Sequence, residues 1–201
     1  YLDTNLLGEF NTGSIEHQVL IGFSLNRDVT DLDFEFGDAA PVDIFDPVFD
    51  QTVNSTGQPT LNSITARNTL GIYLQDQITF AENLKLLIGG RFDSFEERST
   101  NLLIDEETRQ SDTAFSPRVG IVYQPISAIS LYANYARSFS PTIGISANGD
   151  AFSPERGTQY EIGVKANIND QLSATLAFYD LTRSNVTTED PDNPFFQVQT
   201  G

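Results

Sequence analysis

Asn68 to Asp93 reads NTLGIYLQDQITFAENLKLLIGGRFD, and its alternation decides the fold class. Leu70, Ile72, Leu74, Ile78 and Phe80 fall on one parity, opposed by Gly71, Tyr73, Gln75, Gln77 and Thr79 on the other. Only Asp76 interrupts the apolar side. After Ala81 to Asn83 the pattern resumes, with Leu84, Leu86, Ile88 and Phe92 set against Lys85, Gly89, Arg91 and Asp93. A period of two is that of a strand with unlike faces, and a helix would repeat near 3.6. Working outward, Val19, Ile21, Phe23 and Leu25 alternate with Gln18, Gly22, Ser24 and Asn26, although Leu20 sits on the polar parity. Tyr160, Ile162, Val164, Ala166 and Ile168 oppose Glu161, Gly163, Lys165 and Asn167 in the same way. The expectation is an all-β, antiparallel, up-and-down sheet.

Composition narrows the function classes. The 201 residues carry 11 Lys+Arg against 28 Asp+Glu, a formal charge of -17, which repels nucleic-acid phosphates. With no Cys and one His, disulfide frameworks, structural zinc and iron-sulfur ligation are excluded. Hydrophobic content of 39% is too high for a disordered chain. No run approaches the ~18 apolar residues of a spanning helix, but strands can also cross a bilayer. The chain opens at Tyr1 inside an apparent strand with no targeting segment, and so reads as a piece of something longer.

Connection lengths point to a membrane. Short turns near Asn11 to Glu16, Ala81 to Asn83, Pro125 to Ala128 and Asn169 to Gln171 alternate with long links. Those run near Arg27 to Ala66, Arg98 to Asp112, Ser140 to Gly157 and Thr187 to Pro194. Short turns at one end and long loops at the other characterise outer-membrane barrels, with the long loops outside. Arg91, Asp93 and Phe95 are then expected toward the exterior and Gln77 and Thr79 toward the periplasm. Roughly nine strands of about ten residues are expected, the length a tilted membrane strand needs. A soluble β-sandwich, such as a secreted adhesion domain, would show the same alternation but bury its apolar face against a second layer.

The run from Asn68 to Asp93 resembles the paired strands of TonB-dependent siderophore receptors of the ferrichrome type. Further phrases agree in order: PVDIFDPVF (Pro41 to Phe49), FSPRVGIVYQP (Phe115 to Pro125), SLYANYARSFSP (Ser130 to Pro141) and FSPERGTQYEIGVK (Phe152 to Lys165). ATLAFYDLTRSNV (Ala174 to Val186) and FFQVQTG (Phe195 to Gly201) follow. The resemblance implies a transmembrane β-barrel segment, part of a 22-stranded barrel that holds an N-terminal plug. Residues 1–201 would be a partial barrel domain lacking the plug and the C-terminal strands. It further implies a receptor in the cell outer membrane that takes up ferric siderophores when TonB acts through an N-terminal segment absent here.

Catalysis finds little support, because His17 is the sole imidazole and reads as a surface histidine at a strand start. No metal site and no cofactor are expected of the chain, since iron would travel inside the siderophore. Asp28 to Asp50 holds Asp28, Asp31, Asp33, Glu35, Asp38, Asp43, Asp46 and Asp50 with no Lys or Arg. The Gly turn and closing Glu of a calcium loop are missing, so a solvated loop is the better reading. Such a loop could share divalent ions with lipopolysaccharide phosphates, making outer-membrane lipid and lipopolysaccharide expected partners.

A bulky siderophore complex needs stacking surfaces and a few donors at the outer mouth. By position the candidates are Phe45 and Phe49 in the first long loop, Arg91 and Phe95 at a strand top, Phe152 in another loop, and Tyr179 with Arg183 near the last. Each competes with a structural reading, as an interfacial girdle aromatic or loop packing for the rings. Arg91, Asp93, Arg118, Glu161 and Lys165 read as lumen charges that pair across strands or face a plug. The alternatives are a passive porin-like barrel, or a receptor for cobalamin, haem or a sugar. An acidic mouth makes a strongly anionic complex a less attractive cargo.

Overall fold

The computed structural model describes residues 1–38, 41–47, 54–55, 57, 60–169, 171–194 and 196–200. Strands β1 (Leu2–Thr12), β2 (Ile15–Phe34), β3 (Gly37–Asp38), β4 (Asn54–Ser55), β5 (Leu61–Ala81) and β6 (Leu84–Asn101) are followed by β7 (Glu106–Ile126) and β8 (Ile129–Ser140). β9 (Glu155–Asn169), β10 (Leu172–Ser184), β11 (Val186–Glu189) and β12 (Gln197–Thr200) complete the order. One antiparallel sheet runs β1-β2-β5-β6-β7-β8-β9-β10, a pure meander, and β3-β4 and β11-β12 are separate two-stranded ribbons. Among the described residues no helix is long and apolar enough to cross a membrane.

The sheet is one layer thick. Ile21, Phe23, Ile72, Leu74, Ile88, Phe92, Ile121, Leu131, Ile162, Leu176 and Phe178 are all exposed, and pairing puts them on one face. The residues that are buried include Ser24, Asp93, Glu97, Phe95 and Ala114, all on the opposite face. Among the described residues no side chain is completely buried. Oily side chains open to the surroundings and polar ones crowded together are the reverse of a soluble sheet. They suit a wall between hydrocarbon and an occupied lumen.

Eight strands form the sheet rather than roughly nine, and they are longer than the alternation suggests. β2 has 20 residues and β5 has 21. At about 3.3 Å per residue and a tilt of about 40°, such a strand rises roughly 50 Å, twice the ~25 Å apolar band of a barrel. On β6 the outward apolar run stops at Phe92, and Ser94, Glu96, Arg98 and Thr100 continue the same parity to Asn101. Above the apolar band the outward face is in water and the inward face is partly polar, so hydrophobic alternation fades while backbone pairing continues. For the same reason the link expected over Arg98 to Asp112 is mostly strand. Arg98 pairs with Arg109 and only Leu102 to Asp105 turn, with Asp105 at a left-handed φ of 52°. The short ends lie where the sequence puts them, with Gly13-Ser14, Glu82-Asn83 and Ser127-Ala128 between paired strands.

Asp76, the break in the apolar parity, is held on that outward face. Its Oδ2 lies 2.7 Å from His17 Nδ1, and the His17 ring stacks on Phe10 with centroids 4.8 Å apart. A carboxylate facing hydrocarbon is costly alone, and pairing with imidazole reduces that cost. The sole histidine is therefore a partner of Asp76 rather than an isolated surface residue.

Candidate functional site at the exterior mouth

The crowded face carries a ladder of polar contacts set by register. Gly22, Tyr73, Arg91 and Ser116 share one row across four strands, and Ser24, Gly71, Asp93 and Ala114 the next. Arg91 Nε donates to Asp93 Oδ1 at 2.7 Å and Nη2 to Ser24 Oγ at 2.7 Å, while its guanidinium lies 5.7 Å from the Tyr73 ring centroid. Tyr73 Oη donates to Asp3 Oδ1 at 3.1 Å. Space for this comes from glycine: a Cβ on Gly71 would run into the Arg91 guanidinium, and one on Gly22 would fall 2.5 Å from the Tyr73 ring and 2.8 Å from the Thr4 carbonyl oxygen. Higher up, Arg67 Nε donates to Glu97 Oε2 at 2.5 Å. Lower down, Arg118 donates to Gln75 and Tyr132 Oη to Glu161 Oε1.

Above the ladder the β8-β9 connection, residues 141–154, folds back to the same face. Gln110, opposite Glu97, donates through Nε2 to the carbonyls of Thr142 at 2.8 Å and Phe152 at 3.1 Å, and to Asp112 Oδ2 at 3.2 Å. Phe95 lies opposite Asp112 in the register. The β11-β12 ribbon is tied to this connection. Gln199 Nε2 donates to Ser153 O and Asn185 O, Ser153 N to Gln199 Oε1, and Asn185 Nδ2 to Pro154 O. The ribbon's turn is closed by Asp190, whose carboxylate accepts from Asp192 N and Asn193 Nδ2; these donors hold its pKa below the ordinary 3.8. Between connection and ribbon opens a cavity of about 510 Å³ lined by Gly144, Ile145, Phe152, Glu189, Pro194 and Phe196. That volume falls in the range of small-molecule sites.

The candidates separate by environment. Phe95 and Phe152 are buried, at 4% and 6% exposure, with Phe152 on the cavity wall. Arg91 is committed to Asp93 and Ser24, and Arg183 to Glu155 at 2.5 Å. Phe45 and Tyr179 are open, at 91% and 71%. Phe49 lies outside the described residues. Tyr73, Gln110, Glu189, Phe196 and Gln199 are parts of the mouth that residue type alone did not single out; Tyr73 stood on the polar parity in the sequence, and the register sets it opposite Gly22. Replacing Gln110 with Ala should leave two carbonyls without their donor and cost about 1–2 kcal/mol locally. Faster proteolytic cutting within residues 141–154, with unchanged cutting at Leu102 to Asp105, is the expected reading.

The family described as TonB dependent receptor-like, beta-barrel, matches residues 1–201. The chain belongs to that family. Members are transport receptors of the outer membrane rather than enzymes. The chain is similar to the metal-pseudopaline receptor of Pseudomonas aeruginosa, 36% identical over 98% of this chain and 29% of that protein. It is also similar to the ferrichrome outer membrane transporter/phage receptor of Escherichia coli K12, 32% identical over 100% of this chain and 28% of that one. Among solved receptors, P. aeruginosa FpvA bound to a heterologous pyoverdine superposes with a TM-score of 0.78 at 26% identity, covering 98% of this chain and 28% of that chain. The ferric-catecholate import receptor Fiu of E. coli K12 gives 0.76 at 21% identity over 98% and 32% and speaks to the fold alone. This receptor barrel segment thus spans about three tenths of its relatives' length. Its sheet, with β1 and β10 at free edges, is an open part of the barrel fold.

Proposed function

We propose that this segment serves an outer-membrane receptor for ferric siderophores energised by TonB, contributing barrel wall, lumen lining and exterior loops. The single observation that carries the reading is the pairing of an unlayered oily face with an ion-paired polar face that rises well above the hydrocarbon band into a loop-built cavity. In lipid, free edges such as those of β1 and β10 are costly, so strands on both sides would close a larger barrel, of the 22-strand class, around a plug. TonB would engage a segment outside this chain. Relatives named for ferrichrome, ferrioxamine B and metal-pseudopaline support a metal-chelate cargo over cobalamin, haem, a sugar or passive diffusion. Phe45, Phe49, Arg91, Phe95, Phe152, Tyr179 and Arg183 form the proposed contact set. In it Phe152 and Phe45 act by stacking, and the committed arginines fix the wall. Lipid and lipopolysaccharide surround the wall, and nucleic acid has no part.

Uptake of radio-iron by cells whose only siderophore receptor is the intact protein tests this. Uptake should require TonB, and a neutral hydroxamate complex should outcompete an anionic catecholate one, because the chain's charge of -17 repels anions. Equal uptake without TonB would refute the transporter reading, and preference for the catecholate would refute the charge argument.

A further inference from the structure

The two segments that enclose the mouth cavity, residues 141–154 and 185–200, contain Asp150, Glu189, Asp190 and Asp192 and not one Lys, Arg or His. Of these acids Glu189 is the one on the cavity wall, and Asp190 is spent on closing the ribbon's turn. Register turns Glu189 inward. In the ribbon Glu189 pairs with Gln197 and Thr187 with Gln199, so Glu189, Gln197 and Gln199 share a face. Gln199 fastens that face to the β8-β9 connection by exchanging hydrogen bonds with the backbone of Ser153. Glu189 and Gln197 are thereby held across the cavity from Gly144, Ile145 and Phe152.

The Glu189 carboxylate has no ion pair or hydrogen bond among the described residues, and the neighbouring Arg183 is taken by Glu155. The rest of the wall is mostly apolar. Phe152 N donates to the Gly144 carbonyl at 3.3 Å, and Gly144 has a φ of 122°. A Cβ there would lie 3.3 Å from the Phe152 ring, so glycine lets the ring close on the backbone. Ile145 and Phe196 remain 56% and 41% exposed. A carboxylate without a partner, set among rings and aliphatic groups, repels an anion and gains nothing from a neutral apolar group. It suits a cation on a hydrocarbon stem: the carboxylate and the faces of the Phe rings attract the charge, and the stem covers Ile145 and Phe196.

We infer that this cavity takes a protonated amine carried on an aliphatic arm of the metal chelate, with Glu189 as the residue that selects it. The site rests on the siderophore-receptor reading, which by itself sets only a long-range preference against anions; Glu189 adds a local one for a cation.

Equilibrium binding of radio-iron-labelled chelates to the intact receptor in detergent tests it. The probes are a linear ferric trihydroxamate ending in a primary amine and its N-acetylated form. Wild-type receptor should bind the amine form about fivefold more tightly, the size expected of a water-accessible ion pair supported by ring faces. In Glu189→Gln the two forms should bind alike to within about twofold, through weaker binding of the amine form alone. Asp192→Asn, on the same ribbon but off the cavity wall, should keep the wild-type ratio. A ratio that survives Glu189→Gln would trace the discrimination to the bulk of the acetyl group, and one that Asp192→Asn abolishes equally would trace it to the general acidic field. Either result overturns the site, as does equal binding of the two forms by wild type. Binding of neither chelate by a receptor that still supports TonB-dependent iron uptake would overturn the site alone, whereas absence of that uptake would overturn the receptor reading as well.

Discussion

Placing arginine at Leu74 should cost about 2–4 kcal/mol of folding stability in a bilayer, while arginine at Gln77, three residues along the same strand, should cost under about 1 kcal/mol. Leu74 is half exposed and pairs with Ile21 and Gly90 in the middle of the outward apolar run. A guanidinium there must be buried in hydrocarbon or drag water and headgroups inward. Gln77 is on the other parity, between Gln18 and Leu87, with Glu9 and Glu16 on nearby inward rows of the same wall. Urea titration of the intact receptor in lipid vesicles, read by heat-modifiable gel mobility, gives both values. In a soluble sandwich the order would depend on which face met the second layer, and in detergent-free buffer Leu74→Arg would improve solubility. Comparable costs at both positions would therefore remove the ground for a lipid-facing side.

Much of this arrangement was legible because hydrocarbon enforces a strict period of two. From Leu70 to Phe80 and from Leu84 to Phe92, each outward position had to be apolar, glycine or, at Asp76, paired, so faces and short turns could be read directly. Above Phe92 that constraint ends, and Glu96, Glu97, Arg98 and Ser99 give no sign of whether the backbone stays paired. Here the pairing is fixed by cross-strand hydrogen bonds, which leave little trace in side-chain polarity. The mouth was legible only by residue type. Phe152 stood out by position as a loop aromatic, and the structure places it, buried, on the cavity wall. Gln110 and Gln199 did not stand out, because an amide that captures backbone carbonyls looks the same in sequence as one that points into solvent. Asp76 was seen as an exception whose remedy, His17, lay 59 residues away across a strand pair.

The largest effect within the lumen wall is expected at Arg91. Its side chain is about one third exposed, but Asp93, which it satisfies, is only 8% exposed, and Ser24 is 6% exposed. Arg91→Met keeps much of the side-chain volume and removes the charge, leaving a crowded carboxylate whose designated donor is gone. Breaking a fully buried pair costs about 3–5 kcal/mol, and partial exposure of Arg91 brings the expectation nearer 2–3 kcal/mol. The cause can be separated from lost packing by a double-mutant cycle. If the penalty is the stranded charge, Asp93→Asn in the Arg91→Met background should recover about half of it, because a neutral amide can be satisfied by Ser24 or water at lower cost. If the penalty is loss of the stem packed over Gly71 and the Tyr73 ring, the second substitution should recover nothing. Gly71→Ala then provides the complementary perturbation. It leaves both charges in place but drives a methyl into the space of the Arg91 guanidinium, so it should lower stability by overpacking at about 1–3 kcal/mol and become nearly neutral once Arg91 is methionine. A full cost for Gly71→Ala in both backgrounds would show that the glycine serves the backbone of β5 rather than the arginine above it.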